Sequence, residues 1–272
     1  KNQLLRPYPQ MSGLTSANDS VGKVWAPSLE LSLRRAVSRG ISLNVNYTKM
    51  NPDTADVYLN EFDTEPTRRP SAYGAPNRLN VSTLLQIPFG QGRRYFQRGV
   101  LSQVIGGWQL GITYEYQTGL PIDFGNLFYY GDPTKIADGP HTVSLWFNTA
   151  GCVATASAAR PGDTVVPAGQ PCTSGFDKRS AAQPGAYQVR SFPTRIDGVY
   201  GQPMNEWNAS LQREIVVRER IHLNLRVDAQ NLMNRTIFLN PVTTPTSTQF
   251  GQITSTTEVP NRYIQVQARL TF

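Results

Sequence analysis

Histidine and cysteine are nearly missing from this chain: His141, His222, Cys152 and Cys172 are all it holds among 272 residues. A zinc-type centre needs several such ligands at close spacing, and neither histidine has a Cys, His or Glu set around it. Asp132, Asp138, Asp163 and Asp177 are too scattered for a calcium loop. The sequence contains no GxSxG, HExxH, P-loop or GxGxxG signature. It therefore offers no nucleophile, metal or cofactor site, and no enzymatic activity is expected. No run of about 18 apolar residues occurs, which excludes a helical membrane protein. Strands that alternate apolar and polar residues average out as hydrophilic, so a membrane β-barrel is not excluded. Glycine (22) and proline (20) are too modest for a collagenous or low-complexity chain. The net charge of +7 comes without any Lys/Arg run longer than two, which argues against nucleic acid as a partner.

What the sequence does have is period two. In Tyr263–Phe272, YIQVQARLTF, the residues Ile264, Val266, Ala268, Leu270 and Phe272 share one face. Tyr263, Gln265, Gln267, Arg269 and Thr271 share the other. Segment 221–230, IHLNLRVDAQ, repeats the pattern, as do ISLNVNYT (41–48) and WQLGITYEYQ (108–117). Seven strands are expected, at 28–37, 41–49, 77–88, 108–122, 206–217, 221–234 and 261–272, with a weak eighth around 11–16. Arg35 and Arg213 fall on apolar faces near strand ends, which suits only an interface or a bulge.

Short and long connections alternate strictly. Residues 38–40 and 218–220 are tight turns and 89–107 is intermediate, whereas 50–76, 123–205 and 235–260 are long. An outer-membrane barrel has short periplasmic turns on one rim and long extracellular loops on the other. Periodicity alone equally fits a soluble sandwich. The loop asymmetry and the terminal aromatic favour an all-β fold of antiparallel transmembrane β-barrel strands. Its aliphatic rows then meet lipid, and its polar rows line a lumen carrying Glu115, Glu214, Arg226, Asp228 and Arg269. Aromatics near strand ends (Trp108, Tyr114, Tyr116, Trp207, Phe238, Tyr263, Phe272) suit interfacial girdles. Ordinary cross-strand packing is the other reading of them.

The loop 123–205 exceeds eighty residues, a length that is usually functional or disordered. Cys152 and Cys172 within it suggest one disulfide and an oxidising compartment. Two unrelated free thiols are the alternative. Tyr129, Tyr130, Trp146 and Tyr187 could contact a ligand, or could pack the loop onto its neighbours. Basic residues such as Arg160, Lys178 and Arg179 could meet lipopolysaccharide or an anionic ligand.

Several stretches carry a distributed resemblance: LLRPYPQ (4–10), APNRLNVSTLLQIPFGQGRRY (75–95), GGWQLGITYEYQTGLPI (106–122), WFNTAGC (146–152), NEWNASLQREI (205–215), LNLRVDAQNLMNRTIF (223–238) and FGQIT (250–254). Together they resemble the C-terminal barrel region of large TonB-dependent receptor-like outer-membrane proteins, in particular the Oar-like group with a carboxypeptidase-regulatory-like domain. The closing segment, with Tyr263, Leu270 and Phe272, is similar to the C-terminal assembly signal of such barrels. The resemblance implies residence in the bacterial outer membrane. It also implies a barrel of about 22 strands with a plugged lumen. It implies import of a siderophore, oligosaccharide or peptide, and no cofactor. The implied partners are the remaining N-terminal barrel strands and plug, a TonB-type energy-coupling protein acting on that plug, the barrel-assembly machinery and lipopolysaccharide. The chain opens at Lys1 without a leader, so it reads as a processed or partial chain, with signal sequence and plug expected upstream. A structural or adhesive surface barrel that transports nothing is the rival reading.

Overall fold

A computed structural model describes residues 20–38, 40–60, 62–90, 95, 98–167, 169–179, 189–218, 221–257 and 261–272. The side chains of residues 38, 101, 103 and 218 are likewise not described. The weak strand expected around 11–16, the stretch LLRPYPQ and the ligand-contact candidate Tyr187 lie outside the described residues.

The strands are β1 (Lys23–Trp25), β2 (Ser28–Ser38), β3 (Ile41–Met50), β4 (Asp53–Val57), β5 (Thr67–Pro70), β6 (Asn77–Gln86), β7 (Trp108–Gln117), β8 (Tyr129–Tyr130), β9 (Gly151–Val153), β10 (Thr164–Val165), β11 (Gly175–Asp177), β12 (Met204–Arg218), β13 (Ile221–Gln230) and β14 (Tyr263–Thr271). One short helix, α1 (Val100–Ile105), lies between β6 and β7. Seven long strands form one antiparallel meander in the order β14-β13-β12-β7-β6-β3-β2. These are the seven segments that alternation marks in the sequence. Among the described residues the sheet is open: β2 and β14 are its two edges, and they are not paired with each other. It matches neither a closed barrel nor a 22-stranded one.

The ends of some strands differ from expectation. The strand expected over 108–122 ends at Gln117, and beyond it Leu120 to Ile122 bond instead to Val199, Tyr200 and Gly201 in the same connection. The strand expected over 221–234 ends at Gln230, where Asn231 and Asn234 take positive φ (47° and 51°). In the first hairpin Ser38 pairs with Ile41, and Gly40 supplies the positive φ (80°) that a two-residue turn demands.

Register turns the alternation into two chemically different faces. Directly opposed residues lie on one side of a sheet. One row runs Ile41, Leu85, Leu110, Leu211, Val227, Val266 across six strands. A parallel row runs Leu33, Val45, Val81, Tyr114, Trp207. On the opposite side, Ser32, Asn46, Asn80, Glu115 and Glu206 line up, as do Gln86, Gln109, Gln212, Arg226 and Gln267. Among the described residues no second layer covers the aliphatic rows: Val266 is 74% exposed, Leu33 61% and Ile264 58%.

The only extended core among the described residues lies elsewhere. The three long connections between β3 and β6, β7 and β12, and β13 and β14 all leave from one end of the meander, and they fold together into a crown. Its centre holds Ile122, Phe124, Phe147 and Phe176 of the second connection with Phe250 and Ile253 of the third. The rings meet mostly edge to face, with Phe124–Phe147 at 5.0 Å, Phe147–Phe250 at 5.3 Å and Phe176–Phe250 at 4.9 Å. Around it stand two small sheets, β1-β4-β5 and β10-β9-β11-β8. The described residues of the long loop expected over 123–205 thus form a folded element.

Candidate ligand surface and lumen wall

Charge clamps the crown connections together at their base. The Arg69 side chain is 8% exposed and lies 3.0 Å from Asp56 on its own hairpin. It also lies 3.6 Å from Asp123 of the second connection and donates to Thr194 Oγ1 at 2.5 Å. Arg195 adds a 2.7 Å pair to the same Asp123. Asn60 accepts from the Arg190 backbone N–H (2.8 Å) and donates to the Arg190 carbonyl (3.0 Å). A buried guanidinium needs such paired acceptors. They tie the first long connection to the second.

Further out, Cys152 and Cys172 form a disulfide across the β9–β11 region. Lys178 Nζ lies 2.5 Å from Asp163, both side chains being buried. Burial pushes the Lys178 ammonium below its ordinary value, against the pull of Asp163. Arg179 pairs with Asp177 at 2.7 Å, which holds its guanidinium higher still. Asp163 also accepts the backbone N–H groups of Gly151 and Arg160. Arg160 in turn donates to the carbonyls of Thr248 and Phe250.

The ligand-contact candidates are placed as follows. Trp146 sits in the crown core at 8% exposure, with Nε1 donating to the Tyr200 carbonyl (2.7 Å) and its ring 5.4 Å from that of His141. Tyr129 packs edge-on to Phe176 at 4.9 Å and donates its hydroxyl to the Asp132 carbonyl. Tyr130 is half-buried and stacks on Phe128 at 6.4 Å. Burial raises the phenols of Tyr129, Tyr130 and Tyr200 above the usual value.

The polar face carries the lumen candidates as short, separate pairs. Glu115 accepts from Arg78 at 2.8 Å, and His222 Nδ1 lies 2.9 Å from Glu214. Arg226 pairs with Asp228 at 2.8 Å, while Arg269 stands opposite Asn224. Gln212 donates to Gln109 at 3.1 Å across strands. Hydrated amides and ion pairs of this kind suit an aqueous wall. Where that wall meets the crown, a recess of about 450 Å³ is lined by Glu30, Thr48, Arg78 and Gln117 below and by Tyr73 and Leu120 above. A second, of about 460 Å³, opens between the first and second connections beside Asp53, Arg68, Asp197 and Tyr200. The sequence does not announce either recess, because each joins residues from distant connections. The first lining mixes Glu30, Thr48, Arg78 and Gln117 with Met50, Ala72, Ala75 and Leu120, and the second is more polar, so each offers hydrogen-bonding groups to a hydrophilic molecule.

The apolar face ends in aromatics. Toward the crown, Tyr114 and Trp207 stack at 4.4 Å, with Tyr47 and Tyr116 in neighbouring strands. Toward the short connections stand Trp108 and Phe272, the latter 92% exposed. Two other aromatics expected in girdles are elsewhere: Phe238 packs against the crown core, and Tyr263 pairs with Gln230 on the polar face. Arg213 is opposite Trp108, its guanidinium 5.8 Å from the ring, and Arg35 adjoins the irregular end of β2. Arg35 thus borders a strand end, while Arg213 borders the first residue of β7 on one side and Leu225 on the other and turns its guanidinium toward Trp108 and the Val104 carbonyl.

A family model, the outer membrane beta barrel domain, matches residues 1–265. No curated protein and no solved structure matches the chain. The chain belongs to the outer membrane beta barrel domain family, and its place is the bacterial outer membrane.

Proposed function

We propose that this chain is wall and outer crown of a ligand importer of the TonB-dependent receptor type. Its long connections face the cell exterior and its polar face lines the import path. The observation that carries the reading is the recess between Glu30, Arg78, Gln117 and the crown, where outer surface and polar wall become continuous. A hydrophilic ligand captured there already lies at the mouth of the lumen. The sequence resemblance supplies the rest: a plug closing that lumen, further barrel strands completing the wall, and an energy-coupling protein pulling on the plug.

Among the described residues β2 and β14 are open edges, which supports the need for further strands, since hydrocarbon gives an unpaired backbone no hydrogen-bonding partner. The test is co-elution of the detergent-solubilised full-length protein with the periplasmic domain of a TonB-type protein. A stable complex, lost when the region upstream of this chain is deleted, supports import. Failure to associate at any accessible concentration contradicts it.

A structural or adhesive barrel is the second reading. It is favoured by the use of Trp146 and Tyr129 in packing the crown rather than in presenting rings to solvent. On that reading the crown is a rigid displayed surface. Loss of surface adhesion on crown deletion, with no interaction with the coupling domain, would identify it.

A further inference from the structure

Helix α1 presents a feature that neither import nor display uses. It lies in the connection between β6 and β7, on the side of the sheet opposite the crown. Val100 and Val104, one turn apart and so on one face, are 78% and 60% exposed. Ser102, on the opposite face, is buried.

This exposure is held in place. The Val104 carbonyl accepts from Trp108 Nε1 (3.2 Å) and from Arg213 Nη1 (2.6 Å). Trp108 and Arg213 oppose each other on the aliphatic face, so the helix is tied to that face and not to the polar one. At its foot Gly90 and Gly106 touch backbone to backbone: a Cβ on Gly106 would lie 2.7 Å from the Gly90 Cα. Only glycines allow the chain to close that tightly. Two apolar side chains thereby stay exposed on a helix that is tied to the aliphatic face.

We propose that α1 is an interfacial anchor, laying Val100 and Val104 into the lipid leaflet at the short-connection rim. Its occupant is a glycerophospholipid. The valines meet the upper acyl carbons, as the apolar side of an in-plane helix does. Arg213, stacked on Trp108, and Arg98 just before the helix set cations at phosphate depth. Continuity with the aliphatic rows and this pairing of valine with arginine argue for lipid over a protein partner. The anchor lengthens the hydrophobic belt beyond the ends of β6 and β7 and fixes the depth at which the sheet rides.

The inference rests on the outer-membrane placement of the sheet, and the experiment separates the two. Full-length protein is prepared with single added cysteines at Val100, Val104, Val266 or Tyr73, labelled with an environment-sensitive fluorophore and reconstituted into phosphatidylethanolamine/phosphatidylglycerol vesicles. Quenching by phospholipid spin-labelled in the headgroup region, for the helix, or along the acyl chain, for Val266, is compared with quenching by aqueous iodide. Labels at Val100 and Val104 are expected to be quenched several-fold more by the lipid quencher than the Tyr73 label on the crown. If Val266 is lipid-quenched but Val100 and Val104 respond only to iodide, the anchor is overturned and the barrel wall stands. If Val266 also responds only to iodide, both fall. Should one valine variant not assemble, the label at the other valine carries the test, and iodide-only quenching there again overturns the anchor.

Discussion

Single residues show which side of the sheet touches oil. Val266 and Leu225 point to the aliphatic face near the middle of their strands, whereas Gln267 and Arg226 are opposed on the other. An arginine on the lipid side near mid-bilayer costs about 2–4 kcal/mol, and far less where water can reach it. Val266→Arg is therefore expected to lower folding stability in lipid vesicles by that amount, and Gln267→Arg by well under half as much. Denaturant titration of both variants measures the difference. Arg69 makes the complementary case in the crown, since it alone reaches Asp56, Asp123 and Thr194. Its acceptors are partly hydrated, so Arg69→Met should cost about 1–3 kcal/mol, below the cost of breaking a fully buried pair. Faster protease cleavage of the first long connection, with an intact sheet, is the expected readout. Tyrosines give a pH dependence of definite sign. Burial raises Tyr129 and Tyr200, so the folded crown keeps their protons after the unfolded chain, ionising near 10.0, has lost its own. Their contribution is complete below pH 10 and declines as pH rises through the folded values. Crown proteolysis should accelerate above that pH, and Tyr129→Phe should weaken the dependence.

At the level of elements, the seven long strands were readable in the sequence and the crown was not. A strand with one wet and one oily side must alternate, so IHLNLRVDAQ and YIQVQARLTF declare themselves. Their ends are harder to place: Leu120 and Ile122 continue an apolar pattern after β7 has stopped, but Ile122 belongs to the crown core and Leu120 is exposed. Strands β8 to β11 span two or three residues each, too short for any period to register, and β9 pairs in parallel with both β10 and β11. Their core draws Phe124, Phe147, Phe176 and Phe250 from across the chain. The available signal was the density of Phe and Ile in segments without alternation. The Cys152–Cys172 bond was suggested by spacing and context, and it closes a 20-residue stretch of this element. Such a closure is worth about 3 kcal/mol by chain entropy. Replacing both cysteines by serine should speed tryptic cleavage around Arg160, Lys178 and Arg179 by one to two orders of magnitude or so. Unchanged cleavage would show that Phe176 and its neighbours hold the element unaided.

Seen whole, the molecule reverses the plan of a water-soluble protein. Among the described residues its largest sheet has no core on either side, and the core lies in connections at one end. That arrangement is stable only if a solvent of the right kind meets each face: hydrocarbon beside Leu33, Val45 and Val266, water beside Asn46, Gln109 and Gln267. Membership of the outer membrane beta barrel domain family accords with this division. The most direct test places a nitroxide at each position from Ile221 to Gln230 of the reconstituted full-length protein and compares its collision rates with oxygen, which concentrates in lipid, and with a water-soluble nickel chelate. Oxygen should dominate at Ile221, Leu223, Leu225, Val227 and Ala229, and nickel at His222, Asn224, Arg226, Asp228 and Gln230. Two profiles rising and falling in phase, or no alternation at all, would contradict a wall with oil on one side and water on the other.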